Sequence, residues 1–305
     1  MGNKLCLKVI VLSVVVLFAC GCGGSGDGPS DILTEVPTGR FTGTLGSGDL
    51  AGAWHLWMLS TSGGQMREYY FIAEQTSSTT AIAFLSGPMG MTWVEIAANG
   101  STYSFTVSEY WPRTDFESQY VYTGTRSADS VTGNFVGDAK DNFLTSNAGH
   151  FTGTFQADII PLGADFMTPT TGATGTMNGA LGYGLTDIEV AGEISFEISG
   201  YDVEGILTFD ILDNYGAPTG DLLDGVPFLG TLAGADYNEI TCDFTIDQDG
   251  WTGNGSIVGY MADVQPTSAI WTYTFMSNGK FTLSNITGHG HTSWSFRGGW
   301  SAVGN

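Results

Sequence analysis

Basic side chains are scarce in this chain: nine Lys and Arg stand against 31 Asp and Glu in 305 residues, a net charge of −22. From Asp141 through Gly279 there is no Lys or Arg at all. Such a surface repels phosphate backbones and anionic headgroups, which excludes nucleic acid as a partner. Acidic side chains in that stretch cannot pair with sequence neighbours. Their counter-charges are solvent cations, a bound divalent metal, or Lys280 and Arg297 brought in from the C-terminal strands. An acidic surface that favours solubility on export explains the same imbalance without a metal.

Cysteine is nearly as rare. Beyond Cys22 only Cys242 remains, at an apolar position of Ile240-Thr241-Cys242-Asp243-Phe244, where a lone thiol reads as small core filler. This excludes a disulfide-stapled scaffold, and a chain of this length buries an adequate core without staples. Catalytic signatures are missing too: there is no Gly-x-Ser-x-Gly elbow, no His-Glu-x-x-His and no phosphate-cradling glycine loop with lysine. Carboxylates abound, but no spacing sets an acid against a base. The expectation is a protein that is not an enzyme.

Sustained helical periodicity is the remaining absence. Forty-five glycines and 12% aromatics accompany period-2 runs bounded by Gly, Asn, Asp and Ser, the pattern of many short strands. Strands are expected near residues 40–45, 54–60, 67–74, 80–85, 91–97, 102–109, 120–126, 130–136 and 150–157. Beyond a Pro- and Gly-marked break they resume near 175–181, 187–199, 202–212, 228–232, 239–246, 251–261, 269–277, 280–286 and 293–303. Ala98-Asn99-Gly100-Ser101 reads as a hairpin turn centred on Asn-Gly. The expected fold is all-β, with two antiparallel domains at 38–160 and 174–305 joined by a linker at 161–173, each a barrel-like meander or a sandwich. Gly39-Arg40-Phe41-Thr42-Gly43-Thr44 is echoed by Gly149-His150-Phe151-Thr152-Gly153-Thr154. Its aromatic would anchor a strand, and its glycine would permit a bulge where the sheet curls. The echo resembles the closing strands of small up-and-down barrels of the avidin or lipocalin type, a likeness of architecture that a Gly-rich sandwich matches nearly as well.

At the N-terminus, Lys4 and Lys8 precede an apolar run from Val9 to Phe18, too short to span a bilayer as a helix, and Leu17-Phe18-Ala19-Cys20 ends it. This segment resembles a bacterial lipoprotein signal peptide. The resemblance implies cleavage of residues 1–19, a lipid on Cys20 (Cys22 is the rival), a flexible tether at 20–37 and attachment to the cell envelope. Gly21, where an inner-membrane lipoprotein carries Asp, implies the outer membrane. Cleavage removes two Lys and no acid, leaving 7 − 31 = −24. Two or three acyl chains would then hold the protein on a membrane, at about 0.8 kcal/mol per buried CH₂.

Three groups of residues are candidates for function. In the first domain Trp54, Trp57, Tyr110 and Trp111 are either core filler or the lining of a mouth for a sugar or small apolar ligand. The segment Glu109-Tyr110-Trp111-Pro112-Arg113 is expected in an inter-strand loop. In the second domain Glu197, Asp202 and Glu204 share the acidic face of a hairpin, with Glu197 opposite Asp202 or Glu204, a solvated edge or a weak cation site with Ca²⁺ as its candidate. His289-Gly290-His291 offers two imidazoles without a third ligand nearby. The function expected is a membrane-anchored, non-catalytic module that binds a small ligand or a protein partner. The rival is a structural or adhesion protein without a pocket.

Overall fold

The structure, a computed structural model, describes residues 50–60, 65–87, 90–111, 116–141, 149–160, 171–181, 189–212, 218–233, 239–263 and 275–304. It is all-β. The first eight strands are β1 (Gly52–Ser60), β2 (Gln65–Gln75), β3 (Thr80–Gly87), β4 (Gly90–Asn99), β5 (Thr102–Trp111), β6 (Phe116–Ser127), β7 (Ser130–Asp141) and β8 (Gly149–Ile160). Each pairs antiparallel with the next, and β8 closes on β1. A second closed meander follows: β9 (Thr171–Leu181), β10 (Glu189–Ser199), β11 (Asp202–Leu212), β12 (Pro218–Ala233), β13 (Glu239–Gln248), β14 (Trp251–Asp263), β15 (Phe275–Gly288) and β16 (His291–Gly304), with β16 closing on β9. The sandwich alternative is thereby excluded.

Alternation builds both lumens. In β5 Tyr103, Phe105 and Val107 point inward, and in β11 Val203, Leu207, Phe209 and Ile211 do so, each at most 3% exposed. An eight-stranded barrel is just wide enough for such side chains to fill, or to hold one small ligand.

The glycines of the repeated motif act differently from the expectation. Gly153 of the motif, and Gly133 on the neighbouring strand β7, lie within unbroken ladders, so neither marks a bulge. A Cβ on Gly153 would stand 2.6 Å from the Phe135 ring, and one on Gly133 would stand 2.1 Å from the Thr123 carbonyl. In the second barrel a Cβ on Gly255 would stand 2.0 Å from the Phe244 ring. Glycine here vacates the space beneath a cross-strand aromatic, or lets two backbones approach. The echo strand β8 closes the barrel on β1; residues 40–45, its sequence cousin, lie outside the described residues.

One turn reading and one break between strands are corrected. Asn99 pairs with Thr102, so the hairpin loop is Gly100-Ser101, and Gly100 takes the positive φ of +60°. Asn278-Gly279, between the expected strands at 269–277 and 280–286, lies inside β15 and turns nothing. The Asn278 amide accepts a hydrogen bond from the Ile72 N–H (2.7 Å) and donates one to the Ile72 carbonyl (3.0 Å).

That contact belongs to a junction between the barrels. The outer faces of β1–β5 (Ala53, Ile72, Phe84, Trp93, Tyr110) pack against Val258, Tyr260, Ala262 and Met276 of the second barrel. At Gly299 a Cβ would come within 2.5 Å of the Leu85 carbonyl, so the backbones meet almost directly. β2 and β3 share only the pairs Glu74↔Ile82 and Gln75↔Ala81. Asn278, acting like a peptide group, supplies a rung to β2 just beyond that short seam. Lys280 completes the junction with its ammonium 4.6 Å from the centre of the Phe84 ring. Burial lowers its pKa to about 8 against the opposing pull of Glu74. The acid acting on Lys280 thus comes from the first barrel, whereas sequence alone suggested the basic-free stretch.

Candidate functional site

The polar centre of the molecule lies in the first lumen, near the end where β1 stops, β2 begins, β5 stops and β6 begins. Register explains it. Met58 pairs with Arg67 and Leu56 with Tyr69, which puts Arg67 and Tyr69 on the inward face of β2. Val107 pairs with Tyr120 and Glu109 with Ser118, which puts these residues on the inward faces of β5 and β6.

Glu109, 3% exposed, spends both carboxylate oxygens. Oε2 receives the Arg67 guanidinium and the Ser118 hydroxyl at 2.5 Å; Oε1 receives the Tyr69 hydroxyl at 3.0 Å. The guanidinium also lies 4.9 Å from the ring centre of Phe116 and 5.5 Å from that of Tyr120. Its side chain keeps 23% exposure, so the ion pair sits at a mouth and not in the middle of the barrel.

The phenols complete the site. Burial raises the pKa of Tyr69, Tyr120 and Tyr122 despite the opposing Arg67 charge, so all three remain hydrogen-bond donors at neutral pH. Tyr122 is fully buried, with Phe155 and Phe135 at centroid distances of 5.3 and 5.6 Å. Hydrogen bonding to the neighbouring Tyr69 hydroxyl adds to the rise in the Tyr122 pKa and opposes the rise at Tyr69. Tyr69 donates its own hydrogen to Glu109, which leaves its oxygen to accept from Tyr122.

The four aromatic candidates do not converge. Trp54 is fully buried in the lumen, its indole N–H donating to the Leu50 carbonyl at 3.0 Å. Tyr110 faces outward into the junction. Trp57 lies on the outer face, 4.3 Å from the His55 ring, which stacks on Tyr70 at 4.1 Å. Trp111 ends β5, and its side chain lies outside what is described. Glu109, Tyr110 and Trp111 are strand residues, not loop, because their alternation continues the inward face of Tyr103, Phe105 and Val107. A charge extending an apolar face was the signal that could have picked out Glu109.

In the second barrel Glu197 pairs with Glu204, and Asp202 stands opposite Ser199, so the loop is Gly200-Tyr201. All three acids are exposed. Among the described residues no group of three or more His, Cys, Asp and Glu could hold a metal. His289 and His291 instead stack on Trp251, at 4.8 and 5.9 Å, with His291 also 3.8 Å from Trp294. Cys242 donates to the Leu229 carbonyl at 2.9 Å, and burial pushes its thiol up to about 11. Two open grooves lie on outer faces. One of about 380 Å³ is lined by Asp243, Asn254, Ser256 and Thr282, the other, of about 370 Å³, by His55, Asp129 and Asp158.

Fold and site together define a tandem of two eight-stranded antiparallel meander barrels, one with a polar lumen mouth. No family model matches the chain, and no curated protein matches it. Among solved structures, kievitone hydratase from Nectria haematococca is similar at 10% identity, over 87% of this chain and 97% of that one, with a TM-score of 0.19. A likeness so distant carries neither activity nor substrate across.

Proposed function

We propose that this is a lipid-anchored protein of the cell envelope, held through Cys20 to the outer membrane, with no catalytic role and a first barrel that binds a small, largely apolar or sugar ligand. The Arg67–Glu109–Tyr69–Ser118 network at the lumen mouth carries the reading. A buried ion pair stabilises a fold no better than well-packed apolar residues of similar volume, so folding alone does not account for it. A few convergent polar groups set in an otherwise aromatic lumen are the composition of a ligand site. The second barrel, filled with apolar side chains, would serve as support.

The test is a thermal-shift screen of small apolar compounds and sugars against the protein and against Glu109→Gln. A compound that raises the melting temperature of the first far more than that of the second supports the reading. A screen in which nothing shifts the native protein overturns it. The anchor is tested separately by mass spectrometry of the mature N-terminus and by Cys20→Ser, which should release the protein in soluble form. If the variant stays on the membrane, Cys22 or the barrels supply the attachment.

One observation favours a second reading, contact with another protein through the second barrel. Leu229 is 70% exposed and Ile206 50%, on the adjoining outer faces of β12 and β11. Loss of a cross-linked envelope partner in Leu229→Asp, with ligand binding intact, would support this role beside the first.

A further inference from the structure

The outer face of the second barrel allows its contact partner to be described by chemistry. Alternation in β11 and β12 sets Val203, Leu207 and Phe228 inward, which turns Glu204, Ile206, Pro227 and Leu229 to solvent. Register gathers them. Ile206 pairs with Pro227, while Glu204 pairs with Leu229 on one side and with Glu197 on the other. The three apolar residues thus form one island with two carboxylates along its β10 side. On the far side β13 is tied to β12 by the Thr231–Thr241 pair and by the Cys242 thiol on the Leu229 carbonyl. Asp243 follows Cys242 and points outward, into the groove of about 380 Å³ that crosses β13, β14 and β15. It is the one charged residue of that lining, and Ser256 and Thr282 lie beside it on successive strands.

We infer that this face binds a polypeptide segment whose apolar side chains are flanked by Lys or Arg. The inference rests on the protein-contact reading above. An apolar island with Leu229 70% exposed calls for an apolar counterpart. Its rim is acidic on both sides, Glu197 and Glu204 at one end and Asp243 at the other, and rim charges select partners by sign. The only Lys and Arg of this barrel, Lys280 and Arg297, stand beyond the groove. Lys280 is turned to Phe84 at the junction, and Arg297 pairs with Thr282 from β16. From β11 to β15 the surface runs roughly 19 Å at the usual strand spacing, the reach of a peptide and not of a small amine. A second copy would bring the same acids to the same face, and an anionic membrane would bring the same sign of charge. A lysine of the segment sits in the groove, donating to the Asp243 carboxylate and to the Ser256 and Thr282 hydroxyls, while its apolar neighbours cover Ile206 and Leu229.

Fluorescence anisotropy with the labelled peptide Lys-Lys-Leu-Ile-Leu-Lys-Lys tests this, beside Glu-Glu-Leu-Ile-Leu-Glu-Glu and Lys-Lys-Ser-Gly-Ser-Lys-Lys, which change its charge or its apolar centre. The native protein should bind the first about tenfold more tightly than either of the others. Leu229→Asp should weaken that binding about tenfold although it adds an acid, and Asp243→Asn should weaken it severalfold. Asp129→Asn, at an exposed acid of the first barrel, should leave it unchanged, and all three variants should melt as the native protein does. Tighter binding by Leu229→Asp, equal binding of the serine peptide, or no change in Asp243→Asn means diffuse attraction to an acidic surface and overturns the site. Equal binding of the glutamate peptide overturns the partner's charge. A dimer in sedimentation that dissociates in Leu229→Asp overturns the proposal in favour of a second copy. If no peptide binds, the partner class falls. The protein-contact reading then stands if Leu229→Asp still loses the cross-linked envelope partner, and falls as well if it does not.

Discussion

The two barrels share topology, strand number and the pairing of aromatics with glycines, yet differ in what fills them. The second lumen is apolar along its length, from Met177 through Phe209 and Phe228 to Trp300, and among the described residues no buried charge faces it. Its orphaned polar atom is the Trp251 indole nitrogen, at the end where the two histidines stack. The first lumen has the same aromatic layers but ends in Arg67, Glu109 and three phenols. One scaffold therefore closes with or without a polar mouth, so closure does not require these groups. That separates the residues that make a barrel from those that make a site.

The largest effect should come from breaking the pair that distinguishes the barrels. Arg67→Met leaves Glu109 buried beside a thioether and should cost about 3–5 kcal/mol in denaturant unfolding, whereas Arg67→Met with Glu109→Leu should recover most of it. If the single and double variants lose the same stability, the mouth is not an electrostatic unit. Asn278→Ala tests whether the barrels stand as one body. It strands the Ile72 N–H and carbonyl, should cost about 1–3 kcal/mol, and should split a single calorimetric transition in two. The glycine rule is common to both barrels and ranks next. Gly137→Ala places a methyl 2.3 Å from the Gln119 carbonyl, while the nearest atoms to a methyl in Gly255→Ala belong to the Phe244 ring, which can move. Both should lose about 1–3 kcal/mol in chemical unfolding, with Gly137→Ala the worse of the two.

Smaller effects come from charges outside the lumens. With the Lys280 pKa lowered to about 8 from the ordinary 10.5, the lysine is protonated in folded and unfolded chains below that pH. Between the two values the unfolded chain binds more proton, so this residue makes stability rise with pH there. Above about pH 10 the raised pKa values of the buried phenols Tyr69 and Tyr260 reverse the trend, because only the unfolded chain then ionises. Unfolding midpoints for Lys280→Met should lack the rise and keep the fall. Smallest of all, Glu204→Lys replaces the like-charged Glu197–Glu204 pair with an attractive one and should gain a few tenths of a kcal/mol. A melting curve that also ignores EDTA and millimolar Ca²⁺ would remove the cation idea for that hairpin.

Much of the fold is legible residue by residue. The alternation across the β10–β11 hairpin shows which face is buried, and the structure pairs Val190 with Ile211 and Ile194 with Leu207 as that pattern requires. The site is far less legible. Tyr110 and Trp111 stood out as bulky aromatics beside a proline, while Glu109 next to them carries the network. Its partner Arg67 lies 42 residues away, and nothing local to either shows that their strands turn the same ends to one mouth. Asn278-Gly279 has the local form of a turn and fails as one because Ile72, 206 residues distant, takes the amide.

From residue order alone came the all-β class, the hairpins with their inward and outward faces, the acidic surface and the expectation of a lipid-bearing Cys20. Alternation and turn chemistry are properties of neighbouring residues, so they can be read along the chain. Barrel closure, the meeting of Arg67 with Glu109 and the packing of one barrel on the other came only with tertiary structure. Each depends on which strands pair and in what register. That choice is settled by packing across the whole lumen, by rings that fit only over glycines and by side chains that meet only once the cylinder has closed.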